Sequence, residues 1–256
     1  MTPDTSPRLL ADIGDTCAHF TIEPATVAFE HTASLRCAEH ADFHAAITAY
    51  LGALPAAVAR AVEHEAIAIA NPVAGDEVRM TNDHWQFSIE QMGQRLGLRT
   101  LVVVNDFNAL AMTLPRLTAA LHRQVGRGSA RENSVMGVLG AGSGLGVSGL
   151  FPLADGPVAL GTERGHASFA PRDEREIAIL RCGLTRFGHL SVERLLSGPG
   201  LALIYRALCE RAGQAHEALA APEIARRALA HSDALCSETL QAFFAPPWAR
   251  PRPTWR

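Results

Sequence analysis

The chain has 256 residues, 48% hydrophobic and 19% charged, with a formal net charge of −3, the balance of a globular protein with one large or two modest cores. No basic run appears, so the charge carries no nucleic-acid footprint. All 23 cationic residues are arginine and none is lysine, which excludes a P-loop lysine, a Schiff base and a protein-kinase ion pair.

The opening "MTPDTSPRLLADIGD" has no long apolar core behind a basic start and does not read as a signal peptide. "RLLADI" (8–13) and "AHFTI" (18–22) read as two short strands around a turn. "FHAAITAYLGAL" (43–54) has apolar residues at helical spacing, and "PAAVARAVEH" continues or restarts that helix after Pro55. "AIAIANPV" (66–73) predicts a buried strand ended by Pro72 and Gly75. "SIEQMGQRLGL" (88–98) predicts a helix with Ser88 as N-cap and Gly97 as stop. "LRTLVVV" (98–104) is continuously apolar, as in a strand covered on both faces, and runs into a helical "NDFNALAMTL".

A polar stretch, "HRQVGRGSAREN" (122–133), then marks a surface loop or a boundary. Beyond it the opening pattern returns: a "SVMGVLG" strand, an "AGSG" turn, a "LGVSGLF" strand. Two such units, each opening a block, suggest a duplicated α/β architecture with two hairpins. Past residue 172 the pattern is helical, and the chain closes in "APPWARPRPTWR", rich in Pro and Arg and without periodicity. Cys17, Cys37, Cys182, Cys209 and Cys236 are odd in number, scattered and without CxxC. They read as free thiols in a reducing cytosol, with no zinc-ligand spacing. No stretch approaches the ~18 apolar residues of a membrane helix.

Four segments could carry chemistry. "GAGSGLG" (140–146) packs four glycines into seven residues, so that backbone N–H groups can cradle a phosphate. Neither a dinucleotide fingerprint nor a lysine-bearing Walker loop fits it, and a plain hairpin turn is the alternative. "VVVNDF" (102–107) places Asn105 and Asp106 at a strand end, where α/β proteins bind ligands. Asp106 could take a proton from a substrate hydroxyl, with Asn105 adding donor and acceptor groups, or it could cap the next helix. "GTERGH" (161–166) sets Glu163 and His166 in a Gly-rich loop, and "VERLLSGPG" (192–200) sets Glu193 near a helix start. Such side chains can fan hydrogen bonds to vicinal hydroxyls, as in a sugar site. Taken singly, a satisfied histidine and a helix-dipole partner are the competing readings.

Together "ADIGDT", "AIANPVAGDEVRMTNDHW", "VVVNDFNALA", "GAGSGLGV", "GTERGHASFAPRDERE" and "FGHLSVERLLSGPGL" resemble the bacterial glucokinase family of the actin/hexokinase/Hsp70-like ATPase superfamily, over about residues 9 to 240. The resemblance implies a duplicated actin-like (ribonuclease H-like) α/β fold, with two domains around a cleft. Residues 1–114 would form the smaller domain, 115–244 a larger, incomplete one, and 245–256 a tail foreign to the family. It implies a cytoplasmic enzyme that phosphorylates glucose with ATP and Mg²⁺, with no nucleic-acid or membrane partner and with the homodimers common among relatives. Asp106 would be the catalytic base. Asn105, Glu163, His166 and Glu193 would hold glucose. Asp12, Ile13, Gly14, Asp15 and Thr16 would form the first phosphate loop, with Asp12 near Mg²⁺ and its water. Gly140, Gly142, Ser143 and Gly144 would belong to the second. Positioning and charge neutralisation do most of the work in such a reaction.

The sequence departs from the family in two places. Members usually read D-[IV]-G-G-T-N-x-R where this chain reads "DIGDTCAH", so Asp15, Cys17 and His19 replace Gly, Asn and Arg. A carboxylate about 4 Å from a phosphate charge costs on the order of 4 kcal/mol at an effective dielectric near 20, which predicts an impaired hairpin. After "SETLQAFF" the resemblance ends, and a frameshift or early stop is the expectation it raises. The rival to an active glucokinase is a non-catalytic remnant that binds sugar, regulates, or is a decaying gene product.

Overall fold

The computed structural model describes residues 6–24, 28–80, 85–141 and 144–244. The first sheet takes β1 (Arg8–Ile13), β2 (Cys17–Glu23), β3 (Glu30–Arg36), β4 (His64–Ile69) and, past a small hairpin of β5 (Glu77–Arg79) and β6 (Gln86–Ser88), β7 (Thr100–Asn105). Its order is β3-β2-β1-β4-β7. β1 runs antiparallel to β2 and parallel to β4, which is parallel to β7. Alternate residues enter the core: Leu9, Ala11 and Ile13 from β1, Ala18, Phe20 and Ile22 from β2, Ile67 and Ile69 from β4. Helix α1 (Phe43–Ala53) closes over this face with Phe43, Ala46, Ile47 and Tyr50, the spacing of one helical stripe. Phe20 stacks on Tyr50 at 5.0 Å between centroids.

The helix signals read from sequence act as expected. Asp42, a cap not foreseen, closes the start of α1 by accepting the Ala45 N–H at 2.7 Å. A short α2 (Ala56–Ala61) restarts after Pro55. Ser88 caps α3 (Ile89–Leu96), accepting the Gln91 N–H at 3.1 Å, and Gly97 ends it at φ +67°. Helix α4 (Asp106–Thr113) begins directly at the end of β7.

Two strands differ from expectation. β7 is not covered on both faces among the described residues: Val103 is 8% exposed but its neighbour Val102 is 45% exposed. Its unbroken apolar run hides a one-sided burial. β4 stops at Ile69, short of Pro72; Ala70 still donates to the Ile13 carbonyl, and the pairing goes no further. β3 carries mostly exposed polar residues, so its edge position left no apolar period to read.

The second sheet holds β8 (Met136–Ala141), β9 (Leu145–Phe151) and β10 (Val158–Thr162) in the order β10-β9-β8. Helices α5 (Glu174–Leu184), α6 (Val192–Leu195), α7 (Gly198–Arg211), α8 (Ala221–Leu229) and α9 (Ala234–Phe244) follow. Helix α7 serves two apolar clusters, one with Ile179 and Leu190, the other with Ile224 and Cys236. The chain separates into two compact units, residues 1–138 with 148–161 and residues 139–147 with 162–256. This is a mixed α/β protein with several sheets. None of the five cysteines forms a disulfide. Among the described residues no helix is long and apolar enough to cross a membrane.

Candidate functional site

In the first unit the site is built at the end of β7. Asn105, not Asp106, is the N-cap of α4: its Oδ1 accepts the N–H groups of Phe107 at 3.1 Å and Asn108 at 3.3 Å. Its Nδ2 donates to the Asn71 carbonyl at 3.4 Å and to Asp106 Oδ1 at 3.0 Å. The amide is thereby engaged on both ends within the protein. Parallel pairing of Ile69 with Asn105 brings the Asn71 segment alongside. Asn71 was not foreseen; a polar residue just past a strand that pairs with β7 was its only signal.

Asp106 is the first residue of α4, and its Oδ1 also accepts the Phe107 N–H at 2.7 Å. Among the described residues Oδ2 makes no hydrogen bond. Burial raises the carboxyl pKa above the ordinary aspartate value. The Phe107 N–H opposes that, and the Asp12 charge adds to it. A carboxylate fixed at one oxygen, open at the other and made more basic than usual is equipped to accept a proton from a hydroxyl.

The first hairpin turn is closed by Gly14 N–H donating to the Cys17 carbonyl at 3.0 Å and by Cys37 N–H donating to the Thr16 carbonyl at 2.9 Å. Ile13 points into the core, while Asp12, Asp15 and Thr16 are exposed. Asp15 does not adopt a positive φ, so the backbone carries no left-handed strain there. Its exposure also places its charge in solvent, which shrinks the repulsion expected of it to about 1 kcal/mol at 4 Å. The donor chemistry suits Mg²⁺: Asp12 and Asp106 supply hard oxygens, and a divalent cation would relieve the repulsion by which Asp12 lifts Asp106. Among the described residues no group of three or more His, Cys, Asp or Glu could hold a metal unaided, which is compatible with an ion that keeps waters and substrate phosphates as ligands.

In the second unit three predicted residues converge. Glu163 precedes a 3-10 turn over Arg164–His166. His166 Nε2 lies 3.6 Å from Glu163 Oε2 and 3.7 Å from Glu193 Oε1. Backbone bonds from Val192 N–H to the Ala167 carbonyl and from Phe169 N–H to the Leu190 carbonyl, both 2.9 Å, dock α6 beside that turn. Ser191 caps α6, accepting the Arg194 N–H at 3.2 Å. Glu193 Oε2 accepts the Leu145 N–H at 3.1 Å across 48 residues of sequence, a contact no sequence signal announced. His166 and Glu193, with Phe187, Ser191 and Arg194, line a cavity of about 470 Å³, within the range that takes small ligands. Gly140 lies in β8 and Gly144 just before β9. Gly142 and Ser143, expected in the second phosphate loop, lie outside the described residues, as does the segment 245–256.

The glucokinase family model matches residues 9–246. A glucokinase of Chromobacterium violaceum is 48% identical over 243 residues, covering 95% of this chain and 69% of its own length. A bifunctional glk protein of Burkholderia orbicola is 50% identical over 238 residues, covering 93% of this chain but only 36% of its own length. The crystal structure of a glucokinase from an Antarctic psychrotroph superposes with a TM-score of 0.81 at 29% identity, covering 94% of this chain and 76% of that one. The chain belongs to the glucokinase family.

Proposed function

We propose that this chain binds glucose and ATP and transfers the γ-phosphoryl group to the sugar 6-hydroxyl. Homology to glucokinases supports ATP-dependent glucose phosphorylation as its function. The observation that carries the reading is Asp106, a partly buried carboxylate with one oxygen fixed and a raised pKa. Asp106 Oδ2 accepts the proton of the 6-hydroxyl as the sugar O6 attacks the γ-phosphorus, and the bond from that phosphorus to the bridging oxygen breaks to release ADP. Asn105 fixes the carboxylate and the start of α4, and its Nδ2 exchanges its long bond to the Asn71 carbonyl for one to a sugar hydroxyl. Glu163, His166 and Glu193 hold further hydroxyls.

The triphosphate is taken by backbone N–H groups and Thr16 in the first hairpin, with Ile13, Gly14 and Asp15, and by Gly140, Gly142, Ser143 and Gly144 in the second. Asp12 would hold Mg²⁺ through water. When bound, Mg²⁺ supplies charge neutralisation of the phosphates. The test is a glucose- and ATP-dependent assay for glucose 6-phosphate on purified protein. Turnover with Asp106 intact and a loss of about 10²–10⁴-fold with Asp106→Asn is expected.

Asp15 favours a second reading, a sugar binder without turnover, because it adds a negative charge to the phosphate turn. Separate calorimetric titrations decide. Heat with glucose but none with Mg·ATP would sink the kinase reading and leave the binder.

A further inference from the structure

The bond between Glu193 and Leu145 is what the sugar-holding reading of Glu193 leaves unexplained. Oε2 accepts the Leu145 backbone N–H at 3.1 Å, and Oε1 faces His166 Nε2 at 3.7 Å. One carboxylate thus spans two segments with opposite expected duties, a glycine-rich loop and a sugar-holding turn. A bond from an ionised acceptor to a backbone N–H is among the stronger kinds.

The surrounding backbone is shaped around this carboxylate. A Cβ on Gly144 would lie 2.5 Å from Glu193 Oε2 and 2.9 Å from its Cδ. A Cβ on Gly165 would strike the Leu145 carbonyl and lie 3.3 Å from the same Oε2. Two glycines, one on each segment, therefore leave the room that the side chain fills. Glu193 keeps 30% of its side chain exposed, enough to meet a ligand from one side while holding Leu145 from the other.

We propose that Glu193 is a positioning residue that ties Leu145, at the start of β9, to the sugar-holding side chains, so that sugar and nucleotide affinities are coupled through one carboxylate. The proposal rests on the glucokinase reading for its ligands. A sugar hydroxyl that donates to Oε1 immobilises the carboxylate and so pre-orders the Leu145 backbone. Nucleotide then meets a Leu145 backbone that is already held, and the effect is reciprocal.

The test compares wild type, Glu193→Ala, Glu193→Gln and Gly144→Ala. Amide exchange at Leu145, measured by NMR without ligand, should speed up roughly tenfold or more in Glu193→Ala. It should stay near wild type in Glu193→Gln, whose carbonyl oxygen still accepts. A residue that merely held sugar would leave this exchange unmoved. With a non-hydrolysable Mg·ATP analogue, wild type should bind about fivefold tighter in saturating glucose, and Glu193→Ala should lose that gain. Gly144→Ala, which touches no sugar under this reading, should weaken glucose binding by pushing the carboxylate aside. Unchanged Leu145 exchange, or a glucose-dependent gain that survives Glu193→Ala, overturns the proposal. If wild type binds no nucleotide, the kinase reading fails; Leu145 exchange and glucose binding by Gly144→Ala still decide the tie.

Discussion

The β1–β2 and β8–β9 hairpins each pair a strand of six residues with one of seven. Their surroundings differ sharply. β1 alternates buried and open positions over a large core, and both neighbours of its sheet position are filled, by β2 and β4. In β8 no residue is buried, and Leu139 is 64% exposed. In β10, Val158 and Leu160 are 52% and 47% exposed. A sheet draws stability from the face it buries. The first hairpin is therefore mounted on a rigid platform, whereas the start of β9 leans on point contacts such as the Glu193 bond. Equal strand lengths say nothing about what lies behind them.

If the first sheet is a rigid mount, chemistry at its end can be altered without disturbing the fold. Asp106→Asn should lower kcat by about 10²–10⁴-fold, the usual worth of a general base. Glucose affinity and thermal midpoint should stay close to wild type. Because burial raises the Asp106 pKa, the acid limb of the pH–rate profile should sit above the ordinary aspartate range. Activity then falls as pH drops through that limb, and Asp106→Asn should erase it. Turnover retained in the variant would place the base elsewhere.

The platform itself contains an anomaly. Glu65 on β4 stands between Leu9 and Leu101 in register, is 2% exposed, and has no hydrogen-bond partner at either carboxylate oxygen among the described residues. Burial pushes its pKa up to about 8. The folded state keeps a proton that the unfolded state releases near 4.5. Its contribution is thus complete below about 4.5 and is lost as pH rises towards 8, by about 1.4 kcal/mol per pH unit. Glu65→Leu should flatten that decline and raise stability at pH 8. Urea midpoints at pH 5, 6.5 and 8 give the answer, and equal slopes in both proteins would refute it.

Hydrogen exchange reads the contrast between the sheets directly. Core amides of β1, β4 and β7 should exchange roughly a hundredfold or more slowly than those of β8 and β10. Equal protection would dissolve the comparison.

How much of this could be read from residues alone follows the same physics. Strong local chemistry was legible: Ser88 and Gly97 delimit α3, the β1–β2 pair falls where the turn puts it, and Glu163, His166 and Glu193 do converge in the second unit. Information that resides in tertiary cover was not. Val102 and Val103 look alike in sequence, yet only one is buried. By residue type Asp106 was the cap to expect for α4; the structure gives that place to Asn105, which accepts the Phe107 and Asn108 N–H groups. The Leu145–Glu193 bond joins a featureless backbone N–H to a distant side chain, so no spacing rule could reveal it.

The smallest expected effect concerns the turn of the first hairpin. Asp15 would repel phosphate by about 4 kcal/mol were it shielded from solvent, but its exposure reduces this to about 1 kcal/mol. Asp15→Gly should therefore tighten Mg·ATP binding by about fivefold rather than a thousandfold. The gain should shrink with added salt, since exposed charges are screened over about 10 Å at 0.1 M. Two causes are separable here, charge and backbone freedom. Asp15 already lies outside the positive-φ region, so glycine offers no conformational relief that asparagine would lack. Asp15→Asn should then match Asp15→Gly in calorimetric titration. A gain seen only with glycine, or one indifferent to salt, would mean that the turn limits binding by its shape, and the rigid mount under the first hairpin would be the feature to revisit.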